Sequence, residues 1–417
     1  MGLSLQLLNK MDDFKEKGME KNFGCATFYD FEIGGVPTYY LRMFRWANKQ
    51  GYKNFLFIKR GNFIDKNLKN MLHEAQVKIV EIDFNLRGVA IYEDNKRTND
   101  IFLNNLLLIC SDLHCFVHFA HDKRFNMFNL IFYSLHPRAT QISRSRFINF
   151  RYKRYLVSLT EQNMIFMDKE TEEGYAKYYK SGYNRNQYYR VGDFIPDLDD
   201  KMVKKRACDK EQIFKVLTVA RMDFPFKGYV YGLVHDIGRL NIKEKIELVV
   251  VGDGPQFEVI KELAYEKQKQ LNNVQIDLIG RVPYEELDKY YKDATVFVGG
   301  GTTLIEASKY GTPSIVTTDN QMGTCCVGYM DEEYDNFGGV LSGEPKDVIN
   351  LLKKVSEMRM DEYIDFENRC YSVVKDEYDI NLIMNRIFSI QAKKINPSFG
   401  LVCLDLFLIK LKKLKRR

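Results

Sequence analysis

The chain lacks the usual marks of secreted, membrane-spanning and disulfide-bonded proteins. None of its eight cysteines forms a CxxC pair, no apolar run is long enough to span a membrane, and no signal peptide opens the sequence. Scattered cysteines in a long chain favour reduced, mostly buried thiols, and a membrane span needs about 20 apolar residues. We therefore expect a cytoplasmic protein without disulfides and without a transmembrane helix.

The composition is that of an ordinary globular protein. Of the 417 residues, 45% are apolar and 28% are charged, which suffices for sizeable cores. A chain of this length predicts two domains. Strand-like and helix-like segments alternate through both halves, which indicates parallel βαβ units. The acidic stretch GDFIPDLDD, residues 192–200, interrupts the alternation and is predicted to be the interdomain linker.

One glycine-rich turn dominates the second half. Residues 294–318 read ATVFVGGGTTLIEASKYGTPSIVTT, which predicts a buried strand, a turn at Gly299 to Gly301, a helix and a second strand. The first N–H groups of such a helix suit a phosphate. Glu306 lies one turn into the helix and could accept hydrogen bonds from hydroxyls of the same ligand. On these residues alone, a purely structural turn is the alternative.

Three other predicted strands in this half end in polar or glycine-rich turns. These turns are Ala220-Arg221, Gly252-Asp253-Gly254-Pro255 and Gly280-Arg281. In an open parallel sheet, the carboxyl ends of the strands line the ligand crevice. Arg221 and, six residues later, Lys227 are two cations on one loop, which suits a diphosphate. For any single cation, a solvated surface position is the alternative.

These motifs, in this order and spacing, resemble a known family. ARMDFPFKG, VVVGDGP, IGRVPYEELDKYY and GGTTLIEASKYGTPSIV are similar to the nucleotide-binding domain of retaining glycosyltransferases of the GT-B fold, the large family 4 class. FEIGGVPTYYL, FYSLHP and VKDEYDINLIMNRI extend the resemblance to nearly 360 residues. The resemblance implies an α/β protein with two Rossmann-like domains facing across a cleft.

The resemblance also implies roles for individual residues. Arg221 and Lys227 would hold the donor diphosphate, and His136 would lie beside the transferred sugar. Glu306 would bind the ribose hydroxyls. The remaining implied donor-binding residues are Gly34, Gly35, Gly252, Gly254, Arg281, Val282, Gly301, Thr302 and Thr303. No cofactor and no metal ion are expected, because Arg and Lys would replace the metal at the diphosphate.

The expected domain boundaries follow from the same comparison. They are a lead-in over 1–20, an acceptor-side domain over 21–195, a nucleotide-sugar-binding domain over 196–372, a helix crossing back to the first domain over 373–395, and a basic amphipathic tail over 396–417. Short strands are predicted at 155–160 and 163–168, and a weak strand at 340–342. The stretch Asp197-Leu198-Asp199 matches a minimal DxD pattern and is interpreted as solvated linker.

Val298 departs from the family pattern. The family carries a second glutamate eight positions before the first, where it contacts the donor sugar, and this chain has Val298 there. The departure leaves the donor sugar open. It also keeps open a catalytically silent GT-B scaffold or binding protein as the alternative to an enzyme.

Four residues, Cys110, His114, His118 and His121, fall near one predicted helical face. Histidines at positions i and i+4 can chelate a metal, but no EXXH or HEXXH motif surrounds them. We therefore expect local packing, or a position on the acceptor side of the cleft.

Basic charge is concentrated in two segments. Residues 138–154 carry six cations and no acid, and residues 401–417 carry six cations with Asp405, whereas the whole chain has a net charge of +6. Local basic patches predict an anionic partner. The tail places Leu401, Leu404, Leu408 and Leu411 on one helical face, which suits a helix lying on an anionic membrane.

These inferences converge on one predicted function. We expect a peripherally membrane-bound enzyme on the inner face of the membrane. It would move a sugar from a nucleoside diphosphate sugar to a glycan or lipid-linked acceptor, in surface polysaccharide synthesis. Segments 138–154 and 400–417 would meet the anionic lipid, and nucleic acid is not expected as a partner. A nucleic-acid binder would instead show steep salt dependence.

Overall fold

Apolar strands and amphipathic helices alternate along the chain and build two units, each around its own sheet. The computed structural model describes residues 21–32, 34–93, 96–98, 105–125, 129–136, 139–140, 145–159, 163–179, 188–336, 343–393 and 395–415. The first unit comprises residues 1–192 and 380–417, and the second comprises residues 193–379.

The first unit is built on a mixed eight-stranded sheet. Its strands are β1 (Asn22–Thr27), β2 (Lys53–Lys59), β3 (Val77–Asn85), β4 (Gly88–Glu93), β5 (Lys96–Thr98), β6 (Leu106–Cys110), β7 (Asn129–Ser134) and β8 (Met164–Phe166). The strand order is β5-β4-β3-β2-β1-β6-β7-β8. Neighbouring strands pair in parallel along the stretch β3-β2-β1-β6-β7-β8. Strands β4 and β5 add an antiparallel edge beside β3.

Helices cover this sheet and bury large aromatic side chains. They are α1 (Gly35–Lys49), α2 (Lys66–Glu74), α3 (Leu113–His121), α4 (Arg146–Ser158) and α5 (Lys169–Tyr179). The core contains Phe57, Phe116, Phe132 and Phe166, all almost fully buried. Strands β1 and β6 are central in the sheet and every one of their residues is buried, as expected for parallel strands covered on both faces.

The second unit has a seven-stranded sheet in the order β11-β10-β9-β12-β13-β14-β15. The strands are β9 (Ile213–Val219), β10 (Lys245–Val251), β11 (Val274–Gly280), β12 (Val296–Gly299), β13 (Ser314–Thr317), β14 (Cys325–Tyr329) and β15 (Lys346–Asp347). Five strands are parallel, and β14 and β15 are antiparallel. The helices are α6 (Asp200–Asp209), α7 (Tyr229–Asp236), α8 (Phe257–Gln270), α9 (Leu287–Asp293), α10 (Thr302–Ser308), α11 (Val348–Glu357) and α12 (Met360–Tyr378).

The chain returns to the first unit at its C-terminal end. Helix α13 (Ile380–Phe388) follows α12 after a single extended residue, Asp379, and α14 (Phe399–Lys415) ends the described chain. In α13, the side chain of Asn381 accepts a hydrogen bond of 3.0 Å from the Trp46 indole of α1. Residues 373–395 are therefore not one helix, and the turn at Asp379 coincides with the boundary between the units.

Two local predictions are wrong. Residues 155–160 were expected to form a strand, but residues 155–158 are the last turn of α4. Tyr152, Tyr155 and Leu156 are buried at helical spacing, so packing of one helix face decides the local structure. Three of the four leucines on the predicted outer face of the C-terminal segment pack inward, and only Leu411 of the four is exposed. Leu401 is buried, and Leu404 and Leu408 pack against the first unit's core, because α14 lies on α3.

Some expectations fall outside the described residues. The lead-in over 1–20, the strand at 340–342, and the cations Arg138, Arg144, Arg416 and Arg417 belong to this group. Within the described part of the chain, no helix is both long enough and apolar enough to cross a membrane.

Candidate functional site

The carboxyl edge of the second sheet has a topological switch point. Strand β9 pairs with β10 on one side and with β12 on the other, so the chain progresses in opposite directions from it. Ligands of open α/β sheets bind outside the carboxyl ends of the strands at such a point. The loops after β9, β10, β11 and β12 carry seven of the predicted site residues to this edge, and the first turns of α10 carry three more.

Backbone hydrogen bonds tie these loops together. The Met222 N–H donates to the Asp253 carbonyl over 3.0 Å, and the Gly252 N–H donates to the Gly280 carbonyl over 2.8 Å. Gly252 has φ 134°, and a Cβ there would lie 1.9 Å from the Ala220 carbonyl oxygen. Glycine is therefore required at 252 by the close approach of two loops. The same crowding holds at Gly254, where a Cβ would lie 2.5 Å from the Met222 carbonyl oxygen.

The glycine turn after β12 is open, in contrast. Gly301 has φ 74°, yet a Cβ there would meet nothing within 4 Å. The Leu304 N–H makes the first bond of this turn, to the Gly301 carbonyl over 3.2 Å. The N–H groups of Gly301, Thr302 and Thr303 thus precede the bonded part of α10, where an anion could accept from them.

Glu306 is held in place by two tyrosines. Its side chain is only 5% exposed, Oε1 accepts from the Tyr284 hydroxyl over 3.3 Å, and Oε2 accepts from the Tyr291 hydroxyl over 3.4 Å. Burial, and then the nearby Glu306 carboxylate, raise the pKa of Tyr291 well above its usual value, so this hydroxyl stays a donor. A carboxylate has about four acceptor positions, so Glu306 can accept further hydrogen bonds from a ligand.

Lys227 forms an ion pair with Asp319. Its Nζ lies 2.7 Å from Oδ1 of Asp319, the second residue after β13, and both side chains are largely buried. Burial raises the pKa of Asp319, while Lys227 opposes that shift. A phosphate that binds Lys227 must therefore share it with Asp319 or displace Asp319.

Two arginines complete the cationic side of this edge. Arg221 and Arg281 are exposed, and within the described residues neither guanidinium makes an ion pair. Val282 beside Arg281 is half-buried and packs on an apolar cluster. Arg221, Arg281 and Lys227 provide positive charge that a diphosphate can use.

Val298 faces the core. It is fully buried in the apolar cluster of the second unit and lies in β12 opposite Ile315 of β13. The strand continues one residue further, to Gly299. This position cannot present a carboxylate to a ligand, because any side chain there points into the core.

Three predicted residues, Gly34, Gly35 and His136, lie in the first unit. A Cβ at Gly35 would meet nothing within 4 Å, so packing does not demand glycine there. His136 follows β7 and lines a cavity of about 340 Å³ at the carboxyl ends of β1, β6 and β7. Val36 and Pro37, directly after the glycine pair, line the same cavity.

The histidines of α3 bind a carboxylate. Asp405 of α14 is fully buried and lies 2.9 Å from His114 Nδ1 and 3.1 Å from His118 Nε2. Burial opposes the ionisation of Asp405, but the two histidines outweigh it and hold the pKa of this carboxyl well below its usual range. His121 faces away and contacts the Leu86 carbonyl. In the described ranges, no group of three or more His, Cys, Asp or Glu side chains is arranged to hold a metal ion.

Sequence reasoning missed several neighbours of the predicted residues. Asp319 follows a strand end, and the rule applied to the other strands would have found it. Tyr284 and Tyr291 stand in the quoted motif YEELDKYY, but their convergence on Glu306 depends on how α9 packs on α10. The link between Asp405 and His114 joins residues 291 positions apart and has no local signal.

Comparison with known proteins identifies the fold. Residues 203–365 match the model of the family Glycosyl transferases group 1. Among curated proteins, no sequence matches significantly.

Several solved structures share the architecture over most of the chain. The Anabaena protein HepE in complex with UDP has a TM-score of 0.59 at 13% identity, covering 88% of this chain and 98% of HepE. A Rickettsia africae glycosyltransferase has a TM-score of 0.59 at 13% identity, with 89% and 98% covered. The pneumococcal O-GlcNAc transferase GtfA, in complex with UDP and GlcNAc, has a TM-score of 0.52 at 10% identity, with 89% and 98% covered. The predicted fold class, two Rossmann-like domains of the GT-B type, is confirmed.

Proposed function

We propose that the protein is a retaining glycosyltransferase that takes a sugar from a nucleoside diphosphate and passes it to a glycan or lipid-linked acceptor. The observation that carries this proposal is the edge of the second sheet. There Arg221, Lys227, the open turn at Gly301 and the tyrosine-held Glu306 converge at one switch point. Cations and amides suit a diphosphate, and a carboxylate beside them suits ribose hydroxyls.

These groups match the charge that develops during the reaction. Breaking the bond between sugar and phosphate leaves negative charge on the diphosphate and positive charge on the sugar. Arg221, Lys227 and the first amides of α10 stabilise the leaving diphosphate where its charge grows. Because fixed cations do this, we propose a reaction that needs no metal ion. The leaving phosphate accepts the proton of the acceptor hydroxyl on the same face of the sugar, so no protein nucleophile is needed.

The sugar half of the site differs from the family pattern. A glutamate at 298 would contact the donor sugar, but Val298 is a core residue. His136, which lines the cavity of the first unit, remains as a residue proposed to lie beside the transferred sugar. We therefore leave the donor sugar unassigned and treat UDP as the first nucleotide to test, since HepE and GtfA contain it.

We also propose that the protein works at the inner face of an anionic membrane, in surface polysaccharide synthesis. Phe147 and Phe150 of α4 are 65% and 66% exposed, beside the exposed Arg151 and Arg154. On α14, Phe407 is exposed next to Lys410 and Leu411. Exposed aromatic rings among cations suit a lipid interface. This surface keeps Leu411 from the leucine face expected from sequence, whereas Leu401, Leu404 and Leu408 pack inward.

The enzymatic proposal is tested by a panel of nucleotide sugars, with release of the nucleoside diphosphate as the readout. Lys227→Met is expected to reduce turnover about a hundredfold, the effect of removing one donor from a developing anion. Lys261→Met is the matched control, because Lys261 is an exposed lysine on α8. A panel without turnover and without nucleotide binding would instead favour a catalytically silent scaffold.

Flotation with vesicles tests the membrane partner. Vesicles containing phosphatidylserine should carry the protein, and Phe147→Ser with Phe150→Ser should release it. Tyr265→Ser is the control, since Tyr265 is 63% exposed in the second unit. A protein that ignores vesicles but binds DNA or RNA with steep salt dependence would overturn the membrane proposal.

A further inference from the structure

The cavity of the first unit contains a lysine that comes from the C-terminal helix. The cavity measures about 340 Å³, within the range of small-ligand sites. Its walls include Ser111 after β6, His114 at the start of α3, and Lys412 of α14. Residues far apart in sequence thus meet at the carboxyl edge of the first sheet.

Asp405 fixes the orientation of His114. The Asp405 carboxylate accepts from His114 Nδ1 over 2.9 Å, from His118 Nε2 over 3.1 Å, and from the Tyr152 hydroxyl. A carboxylate that is ionised can only accept, so His114 carries its proton on Nδ1. The other ring nitrogen, Nε2, faces the Lys412 ammonium, which can only donate, so Nε2 is the acceptor of that contact.

Lys412 occupies that acceptor. Its Nζ lies 3.1 Å from His114 Nε2. The ammonium also lies 5.8 Å from the ring centre of Phe28 and 5.9 Å from that of Tyr29, within reach of the attraction between a cation and an aromatic face. Asp405, His114 and the two rings therefore hold the ammonium at a defined place on the cavity wall.

The acids of the cavity are already engaged by the backbone. Asp112 accepts from the N–H groups of Phe28 and Cys115, both over 2.9 Å. Asp30 accepts from the Phe63 N–H over 3.0 Å. These carboxylates serve the local fold, whereas the ammonium is held by a relay of side chains that ends at the cavity. A fixed lysine of this kind recognises an anionic group as a point charge.

We propose that this cavity binds the acceptor sugar and that Lys412 determines its specificity by selecting a sugar that carries an anionic group, a carboxylate or a phosphate. The inference rests on the proposed glycosyl transfer and names the substrate class of its acceptor side. The exposed ring of Tyr29 and the hydroxyl of Ser111 supply the stacking face and the polar contact that a sugar uses.

The test measures sugar binding without any donor, by saturation-transfer NMR and calorimetry on the full chain. The probes are glucuronate, glucose 6-phosphate and glucose, so the first two distinguish carboxylate from phosphate. Wild type is expected to bind one anionic sugar more tightly than glucose. Lys412→Met should lower the affinity for that anionic sugar about tenfold and leave the affinity for glucose unchanged. Lys412→Arg should retain the preference, because the charge remains.

Two further variants separate this role from a structural one. Lys410→Met is the matched control, since Lys410 is exposed on the same helix and does not line the cavity. Asp405→Asn keeps the lysine but weakens the relay, so it should lower the preference for the anionic sugar by less than Lys412→Met. Thermal denaturation of each variant checks that the fold is intact.

Several outcomes overturn the inference. Wild type could bind neither anionic sugar, or bind neither more tightly than glucose. Alternatively, Lys412→Met could lower the affinity for glucose as much as the affinity for the anionic sugar. Nucleotide binding is measured separately. If nucleotide binding and donor turnover persist while the sugar preference is absent, only this inference fails. If nucleotide binding is absent, the proposed transfer itself fails.

Discussion

Glu306→Gln tests the central assignment of the proposed donor site. Each carboxylate oxygen of Glu306 accepts one tyrosine hydroxyl, over 3.3 and 3.4 Å, and a carboxylate offers about four acceptor positions, which lets it also accept from a ribose hydroxyl. Glutamine keeps one acceptor oxygen and replaces the other by an NH₂ group, which cannot accept. Losing one hydrogen bond to a charged group costs about 1.5–3 kcal/mol, so nucleotide affinity should fall about 10- to 150-fold.

The assay is calorimetry with the nucleoside diphosphate that binds most tightly, compared with its 2′,3′-dideoxy analogue. Because the analogue lacks both hydroxyls, wild type and Glu306→Gln should bind it with nearly equal affinity, which closes a double-mutant cycle. Tyr284→Phe is the control, since it leaves the carboxylate intact and should cost less than about 1 kcal/mol. An equal loss for the nucleotide and its dideoxy analogue would refute the ribose assignment.

Three other variants test the structural basis of the sites. Gly252→Ala should lower the free energy of unfolding by about 3 kcal/mol or more, because its Cβ would meet the Ala220 carbonyl. Gly301→Ala should lower it by only about 1–2 kcal/mol, the cost of an alanine at positive φ. Equal melting temperatures for the two variants would contradict this. Val298→Glu should destabilise by about 3–5 kcal/mol without raising turnover of any sugar donor, because it buries a charge in the core. Asp405→Asn should lower the free energy of unfolding by about 1–3 kcal/mol at pH 7 in urea titrations. The difference between variant and wild type should shrink below about pH 4, because a carboxyl whose pKa is lowered on folding contributes its full stabilisation only above its unfolded-state pKa. A difference that does not depend on pH would contradict this prediction.

The positions of the proposed donor-side residues could be predicted because parallel sheets make their strand ends converge. Arg221, Gly252, Arg281 and Gly301 each follow a strand, and the order of those strands brings them to one edge. Only the assignment of strands was needed, and long apolar runs bounded by glycine are reliable signals for it. Gly252 shows the limit of that reasoning, because its conformation is explained by loop packing without any ligand.

The contacts between α14 and α3 could not be predicted because they join distant segments. Asp405, in a tail that reads as basic and amphipathic, binds two histidines of α3 instead of facing solvent. The pattern of leucines predicted the helix of the tail correctly but not the surface it covers, since lipid and a protein core are equally apolar. Likewise, residues 155–158 have strand-like composition, yet three side chains at helical spacing fit the core of the first unit.

The burial of Val298 separates the two halves of the proposed donor site. Had that residue followed the strand, its side chain could reach a ligand, and a single substitution could restore the missing acid. Instead β12 extends to Gly299, so position 298 lies within the sheet and its side chain fills the core. The residues proposed to bind phosphate and ribose in the glycine turn and on α10 do not depend on whether position 298 is valine or glutamate. Under the proposed function, selection of the donor sugar rests on residues outside this turn, and a donor screen should include sugars that lack the hydroxyl pattern of common hexoses.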